Sequence, residues 1–144
     1  MARVKLNFPV KKPIFIAQIP LRITDMNYGN HMGNDVVLSI MHDARMQFLA
    51  SLGYTELEIG GCGLIMADVM IAYRNEGHYG DVLSVELFTD EVGSRSFDFL
   101  YRLSTLRAPG QSLLIAEGKT GMVCYDYQSN KVCSLPEKFV AGLN

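Results

Sequence analysis

The sequence predicts an α+β domain, one long helix lying on an antiparallel sheet of about five strands. Three observations predict it. A helical stripe of apolar residues occurs once, between residues 34 and 52. One extended run precedes it, and four more follow, each closed by a turn-forming segment. At 144 residues the chain is of one-domain size, so residues 1–144 are read as a single domain.

Pro13 to Ile23 (PIFIAQIPLRI) alternates loosely and is rich in β-branched residues, which predicts a strand. The next stretch, Thr24 to Asp35 (TDMNYGNHMGND), is too polar for a core strand and too rich in glycine for a helix. It reads as a tight loop. From Asn34 or Asp35 to Leu52 the residues Val37, Ile40, Met41, Ala44, Phe48, Leu49 and Leu52 recur at three- and four-residue steps, a helix stripe. Gly33 or Asn34 can cap it, Asp35 suits the first turn and Gly53 closes it. At about 1.5 Å per residue this helix approaches 30 Å, so it needs something as broad as a sheet to lie on. Leu64–Tyr73, Val82–Asp90, Ser96–Ser104 and Leu113–Tyr127 supply the strands. In Val82–Asp90 the alternation is that of a one-sided antiparallel sheet. Ser134 to Phe139 adds a short terminal turn or helix.

Composition excludes several classes of function. About half the residues are apolar (49%), yet no run approaches the length needed to span a bilayer. The start, MARVKLNFPVKKP, lacks the apolar segment of a secretory signal, so a cytoplasmic location is expected. A net charge of −2 with scattered basic residues gives no electrostatic case for nucleic acid. Cys62, Cys124 and Cys133 are odd in number and lack C-x-x-C spacing, which suggests neither a disulfide framework nor a zinc site. The eight methionines are scattered and read as core filler.

The polar loop carries the chemistry. Asp25, Asn27, Asn30, His31, Asn34 and Asp35 bring carboxylates, an imidazole and amides to a helix N-terminus, where free N–H groups and the macrodipole favour negative charge. Acyl-group hydrolysis needs a base or nucleophile, a donor to orient a carbonyl, and N–H groups for the oxyanion. An irregular turn with an N-cap would have a similar composition. Asp43 lies one step off the helix stripe, either solvated or a catalytic acid facing a partner subunit. Asp68, a lone acid within LIMADVMIAY, reads as an outer-face residue, with burial at a subunit contact and a raised pKa as the alternative.

In order and spacing these features resemble the hotdog-fold acyl-CoA thioesterases of the 4-hydroxybenzoyl-CoA thioesterase type. The landmarks are Asp25 with Asn34 nine residues on, the Gly29–Asn34 stretch, His42-Asp43-Ala44-Arg45 in mid-helix, Tyr79-Gly80-Asp81 opening a strand, and Leu135-Pro136-Glu137. The resemblance implies a hotdog fold and a loop acid, Asp25, acting as general base or nucleophile. It also implies oxyanion amides from Met32, Gly33 and Asn34, with His31 donating to the carbonyl or positioning water. Asn27 and Tyr28 join the substrate-binding set. The chain also resembles plant acyl carrier protein thioesterases. Asn27, Gly29 and His31 fall on their loop core, and Tyr73-Arg74-Asn75-Glu76 on a later run, which adds Glu76; Asn27 stands where an acid is usual.

The implied activity is hydrolysis of an acyl-CoA or acyl-carrier thioester, with coenzyme A entering only as part of the substrate and no metal or organic cofactor. Two alternatives share the fold. Asp25, Asn27 and His31 come within one residue of the Asp-x-Asn-x-x-His motif of hotdog hydratases and dehydratases. A non-catalytic acyl-CoA-binding protein would also retain the pocket. A homo-oligomer, dimer or tetramer, is expected, because a sheet wrapping one helix leaves exposed edges. In hotdog proteins two sheets join edge to edge under two-fold symmetry.

Overall fold

The computed structural model describes residues 1–144. The element order is β1 (Phe15–Pro20), a 3₁₀ turn (Ile23–Asp25), α1 (Asn34–Ser51), β2 (Gly63–Tyr73), β3 (Val82–Asp90), β4 (Ser96–Ala108), β5 (Gln111–Asp126), β6 (Lys131–Val132) and α2 (Glu137–Ala141). One antiparallel sheet runs in the order β1-β3-β4-β5-β2, with the two-residue β6 paired to β5. The expected α+β hotdog architecture is observed, with β6 as an addition.

The helix forms where its periodicity places it. Val37, Ile40, Met41, Ala44, Phe48 and Leu49 all face the sheet and are buried. They meet Leu83, Val85 and Leu87 of β3, Phe97, Phe99, Tyr101 and Leu103 of β4, and Met122 and Cys124 of β5 in one core. Burying a large aliphatic or aromatic side chain contributes roughly 1.5–3 kcal/mol, so this stripe fixes which face of the sheet wraps the helix. Gly53 ends the helix at φ +81, a left-handed conformation that glycine adopts without a Cβ clash.

One side chain in the buried stripe is charged. Arg45, 5% exposed, donates through Nε to Glu56 Oε1 at 2.6 Å and through its guanidinium to Tyr101 Oη at 3.0 Å. Tyr101 Oη in turn lies 2.7 Å from Thr120 Oγ1. Burial pulls the Arg45 pKa down, but Tyr101 and Glu56 more than offset it, so the guanidinium stays charged. This chain of contacts ties the middle of α1 to β4 and β5 through the core.

Some sequence expectations shift at their ends. β1 is shorter than Pro13–Ile23, because the chain turns into the 3₁₀ segment after Pro20. β4 continues past Ser104 to Ala108, since its pairing with β5 survives irregularities after Leu103 and Leu106. Asp68 follows a bulge in β2 and lies on the exposed face. Its carboxylate accepts from Lys119 Nζ at 2.7 Å and from Gly121 N–H at 3.0 Å. The hydrogen bond from Lys119 holds its pKa below the ordinary carboxylate value, the reverse of the raised pKa considered for a buried acid.

Candidate active site

The polar loop folds as a small hairpin. Met26 and Met32 form an isolated antiparallel bridge, and Asn27 N–H donates to His31 O at 2.9 Å. Asn27 Oδ1 accepts from Gly29 N–H at 2.8 Å, and Asn30 closes the turn in the left-handed region at φ 65. An Asx turn is the ordinary use of asparagine here. Asn27 therefore shapes the loop. Tyr28, at its tip, is fully exposed.

Beyond the hairpin the chain enters α1 beside the β2–β3 connection, and a cleft of about 280 Å³ opens between them. His31, Gly33 and Asn34 line one wall, and Tyr73, Asn75, Glu76 and Gly77 the other. Two contacts tie the walls together. Met32 N–H donates to Gly77 O at 2.7 Å, and Tyr73 Oη–H donates to Asn34 O at 2.9 Å.

Within the cleft the Glu76 carboxylate lies between two imidazoles. His31 Nε2 is 3.9 Å from Oε1, and His78 Nε2 is 3.7 Å from Oε2. His31 Nδ1 lies 3.2 Å from Met32 O, so Nδ1–H donates there and Nε2 is turned to Glu76. Arg107 holds this wall from behind, donating to Glu76 O and, at 2.8 Å, to Asp81 Oδ2. Asp81 also accepts from His78 N–H at 2.8 Å. Burial alone would raise the Asp81 pKa, but Arg107 and the His78 amide outweigh it and hold the carboxyl below its ordinary range. The landmark Tyr79-Gly80-Asp81 thus acts as a brace for the segment that carries Glu76.

The amides expected to serve an oxyanion are only partly free. Met32 N–H is committed to Gly77 O, and Gly33 N–H to Asp25 O at 3.1 Å. The helix-start amides of Asn34 and Asp35 have no intramolecular partner, as the first turn of a helix dictates. Of Met32, Gly33 and Asn34, only Asn34 keeps a free N–H, and it is the one that lines the cleft. Gly33 sits close to the Asp35 side chain: a Cβ there would lie 2.7 Å from Asp35 Oδ1.

Asp25 is not brought to this cleft. It is 6% exposed, and its carboxylate caps the 3₁₀ turn, accepting from Arg22 N–H at 2.8 Å and from the Arg22 guanidinium at 3.2 Å. Burial pushes its pKa up, but the hydrogen bonds and charge of Arg22 outweigh that and leave it low. Asp25 and Asp43 line a separate hollow with Arg22, Ser39 and Ile40. Asp43 is exposed and accepts from Gln47 Nε2 at 3.0 Å, one helical turn on. Sequence spacing alone could not show that the hairpin sends Asp25 and His31 to different surfaces.

The comparisons with known proteins agree with this architecture. The thioesterase-like superfamily model matches residues 21–143, and the chain belongs to that superfamily. Its fold is similar to that of a candidate thioesterase from Pseudomonas aeruginosa, with TM-score 0.81 and 24% identity over 92% of this chain and 100% of that one. A 1,4-dihydroxy-2-naphthoyl-CoA thioesterase from Synechocystis gives 0.80 and 20% identity over 90% and 94%. A variant of 4-hydroxybenzoyl-CoA thioesterase in complex with 4-hydroxybenzoyl-CoA gives 0.82 and 14% over 90% and 98%. At these identities the likeness is one of fold. No curated protein matches the chain.

Proposed function

We propose that the protein hydrolyses an acyl thioester of coenzyme A or of an acyl carrier, with Glu76 rather than Asp25 as the acid. One observation carries this reading. A carboxylate flanked by two imidazoles shares a cleft with a helix start that has free amides. Glu76 draws a proton from water, and the water oxygen bonds to the thioester carbonyl carbon. The carbonyl oxygen becomes an oxyanion at the Asn34 amide, where the helix macrodipole also favours negative charge. When the tetrahedral adduct collapses, the carbon–sulfur bond breaks and the proton taken by Glu76 passes to the leaving sulfur. His31, anchored through Nδ1–H, orients the attacking water with Nε2 as acceptor. Water, a carboxylate and hydrogen-bond donors balance this reaction without a metal or organic cofactor, so chelator is expected to leave turnover unchanged.

A homodimer is proposed on separate grounds. β2 pairs with β5 along one side only, which leaves an eleven-residue edge open to another strand. Met66, Val69, Met70 and Tyr73 of that strand are all exposed. A second copy paired there would place its surface beside the cleft at Tyr73. As to location, no helix is long and apolar enough to cross a membrane.

The test is a panel of aliphatic and aromatic acyl-CoA esters, with free thiol followed by a chromogenic thiol reagent. Glu76→Gln is expected to lower kcat on the best ester by about 10²–10⁴-fold, the usual cost of a lost general base. Asp25→Asn should leave it within a few-fold. Water addition to an enoyl-CoA without thiol release would replace this reading with a hydratase. Acyl-CoA binding without turnover would replace it with a binding protein.

A further inference from the structure

The three cysteines, which carry no spacing signal, meet in space. Cys124 is on β5 and fully buried, and Cys62 immediately precedes β2, the neighbour of β5. Cys133 follows β6 on the other flank, its N–H donating to Cys124 O at 3.1 Å. Cys124 Sγ lies 3.0 Å from Cys62 Sγ and 3.4 Å from Cys133 Sγ, and all three sulfurs fall within 4.8 Å of one another. All three are free thiols.

We propose that Cys62, Cys124 and Cys133 form a binding site for a thiophilic divalent cation, zinc(II) in chemical class, at the end of the molecule away from the cleft. The geometry is close to what a metal needs. Four-coordinate zinc at about 2.3 Å from each sulfur sets sulfurs about 3.8 Å apart, so small side-chain rotations convert the cluster into a ligand set. One buried cysteine is explained as a small apolar residue, but three in mutual contact from three chain segments are not. A disulfide between any two would leave the third stranded. Cys62 and Cys133 are only half-buried, so water can reach a fourth position.

Charge selects the ion. Three thiolates with a divalent cation leave one net negative charge, whereas a monovalent cation leaves two, and burial penalises the larger charge. Thiols, with an ordinary pKa of about 8.5, are mostly protonated at neutral pH before a metal binds. Binding therefore forms three metal–sulfur bonds, breaks up to three S–H bonds and releases up to three protons to solvent. The ion would tie the segment after α1, β5 and the C-terminal tail together. Cys62 and Tyr73 sit at opposite ends of β2, roughly 35 Å apart at about 3.3 Å per residue. The site is thus separate from the cleft.

The experiment titrates the reduced, metal-free protein with cadmium(II), alone and in competition with zinc(II). One equivalent per chain should produce sulfur-to-metal charge-transfer absorption in the ultraviolet, release protons in weak buffer, and require more cadmium to saturate when zinc is already bound. Cys62→Ser and Cys133→Ser, at half-exposed positions, should keep wild-type circular dichroism and weaken binding at least tenfold each. They carry the test even if Cys124→Ser, in the core, fails to fold. Absence of the absorption band, or undiminished binding in either variant, would overturn the proposal. So would conversion of the thiols to a disulfide in place of metal uptake.

Discussion

Breaking the Arg45–Glu56 pair from its two ends should have very different costs. Arg45 is 5% exposed, whereas the Glu56 side chain is 25% exposed and also lies 3.5 Å from His42 Nε2. In Glu56→Leu the guanidinium remains buried with Tyr101 Oη as its one remaining partner, its Nε–H loses its acceptor, and its charge loses the carboxylate that balances it. An uncompensated buried charge typically costs about 3–5 kcal/mol, and the partial exposure of the pair argues for the lower end, about 3 kcal/mol. In Arg45→Met the cation and all its donors disappear together, and the new side chain is apolar and flexible enough to fill the stripe. Glu56 then turns to solvent and His42, and Tyr101 Oη keeps Thr120 at 2.7 Å. That variant should cost about 1 kcal/mol or less.

The assay is equilibrium urea unfolding with thermal unfolding beside it. For a domain near this size, 1 kcal/mol corresponds to about 2–4 °C in Tm, so Glu56→Leu should melt roughly 6–12 °C lower and Arg45→Met only a few degrees lower. The double variant should resemble Arg45→Met, because the stranded charge is gone. Equal losses from the two single variants, or a double variant as unstable as Glu56→Leu, would refute the claim that the buried cation sets the asymmetry.

Three other outcomes follow from the site. Gly33→Val places a Cβ against Asp35 Oδ1 at the helix start, and thioester turnover should fall by about tenfold or more, since one lost oxyanion donor costs about 10²–10³; unchanged kinetics would remove the helix start from the mechanism. Asp25 and Asp81 have folded pKa values below their unfolded ones, so they stabilise the fold above the ordinary carboxylate pKa of about 3.9 and lose that contribution as pH falls through the folded values. Tm should therefore be nearly flat from pH 7 to 5 and drop below about pH 4, with a shallower drop in Asp81→Asn, measured by thermal circular dichroism. Sedimentation equilibrium should show a dimer at assay concentration, and a fully active monomer would exclude the proposed pairing at the β2 edge.

Periodicity made most of the fold legible. The six stripe residues from Val37 to Leu49 are buried because a 3.6-residue repeat has only one way to face a sheet. Val82–Asp90 matched to the residue because turns flank a clean alternation. Arg45 was not legible, since a cation next to a stripe reads as solvated until Glu56 and Tyr101 are found beside it. The cysteine cluster depends on the β2–β5 and β5–β6 registers, which no single segment encodes. In the loop, the residue types were readable but their partition was not. Whether Asp25 or Glu76 shares a surface with His31 is decided by the Met26–Met32 bridge and by a connection more than forty residues later in the chain.

That partition explains why the acid proposed here, Glu76, can lie on a segment without regular structure and still be held in place. Glu76 sits between the end of β2 and the start of β3, in a connection fixed from three sides. Tyr73 reaches the first carbonyl of α1, Gly77 O receives the Met32 amide, and Arg107 from β4 grips both Glu76 O and the Asp81 carboxylate. A Cβ at Gly77 would lie 2.9 Å from Leu21 Cδ1 and 3.1 Å from Met32 Cβ, so the close approach of the two walls favours glycine there. Each tether ends on backbone or on a braced charge, and none uses the Glu76 carboxylate itself. That side chain remains 65% exposed and free to meet water, while its main chain is positioned by the same elements that position the helix-start amide of Asn34. The proposed base and oxyanion site are thus set relative to one another by the fold, which is the condition for electrostatic stabilisation without reorganisation during the reaction.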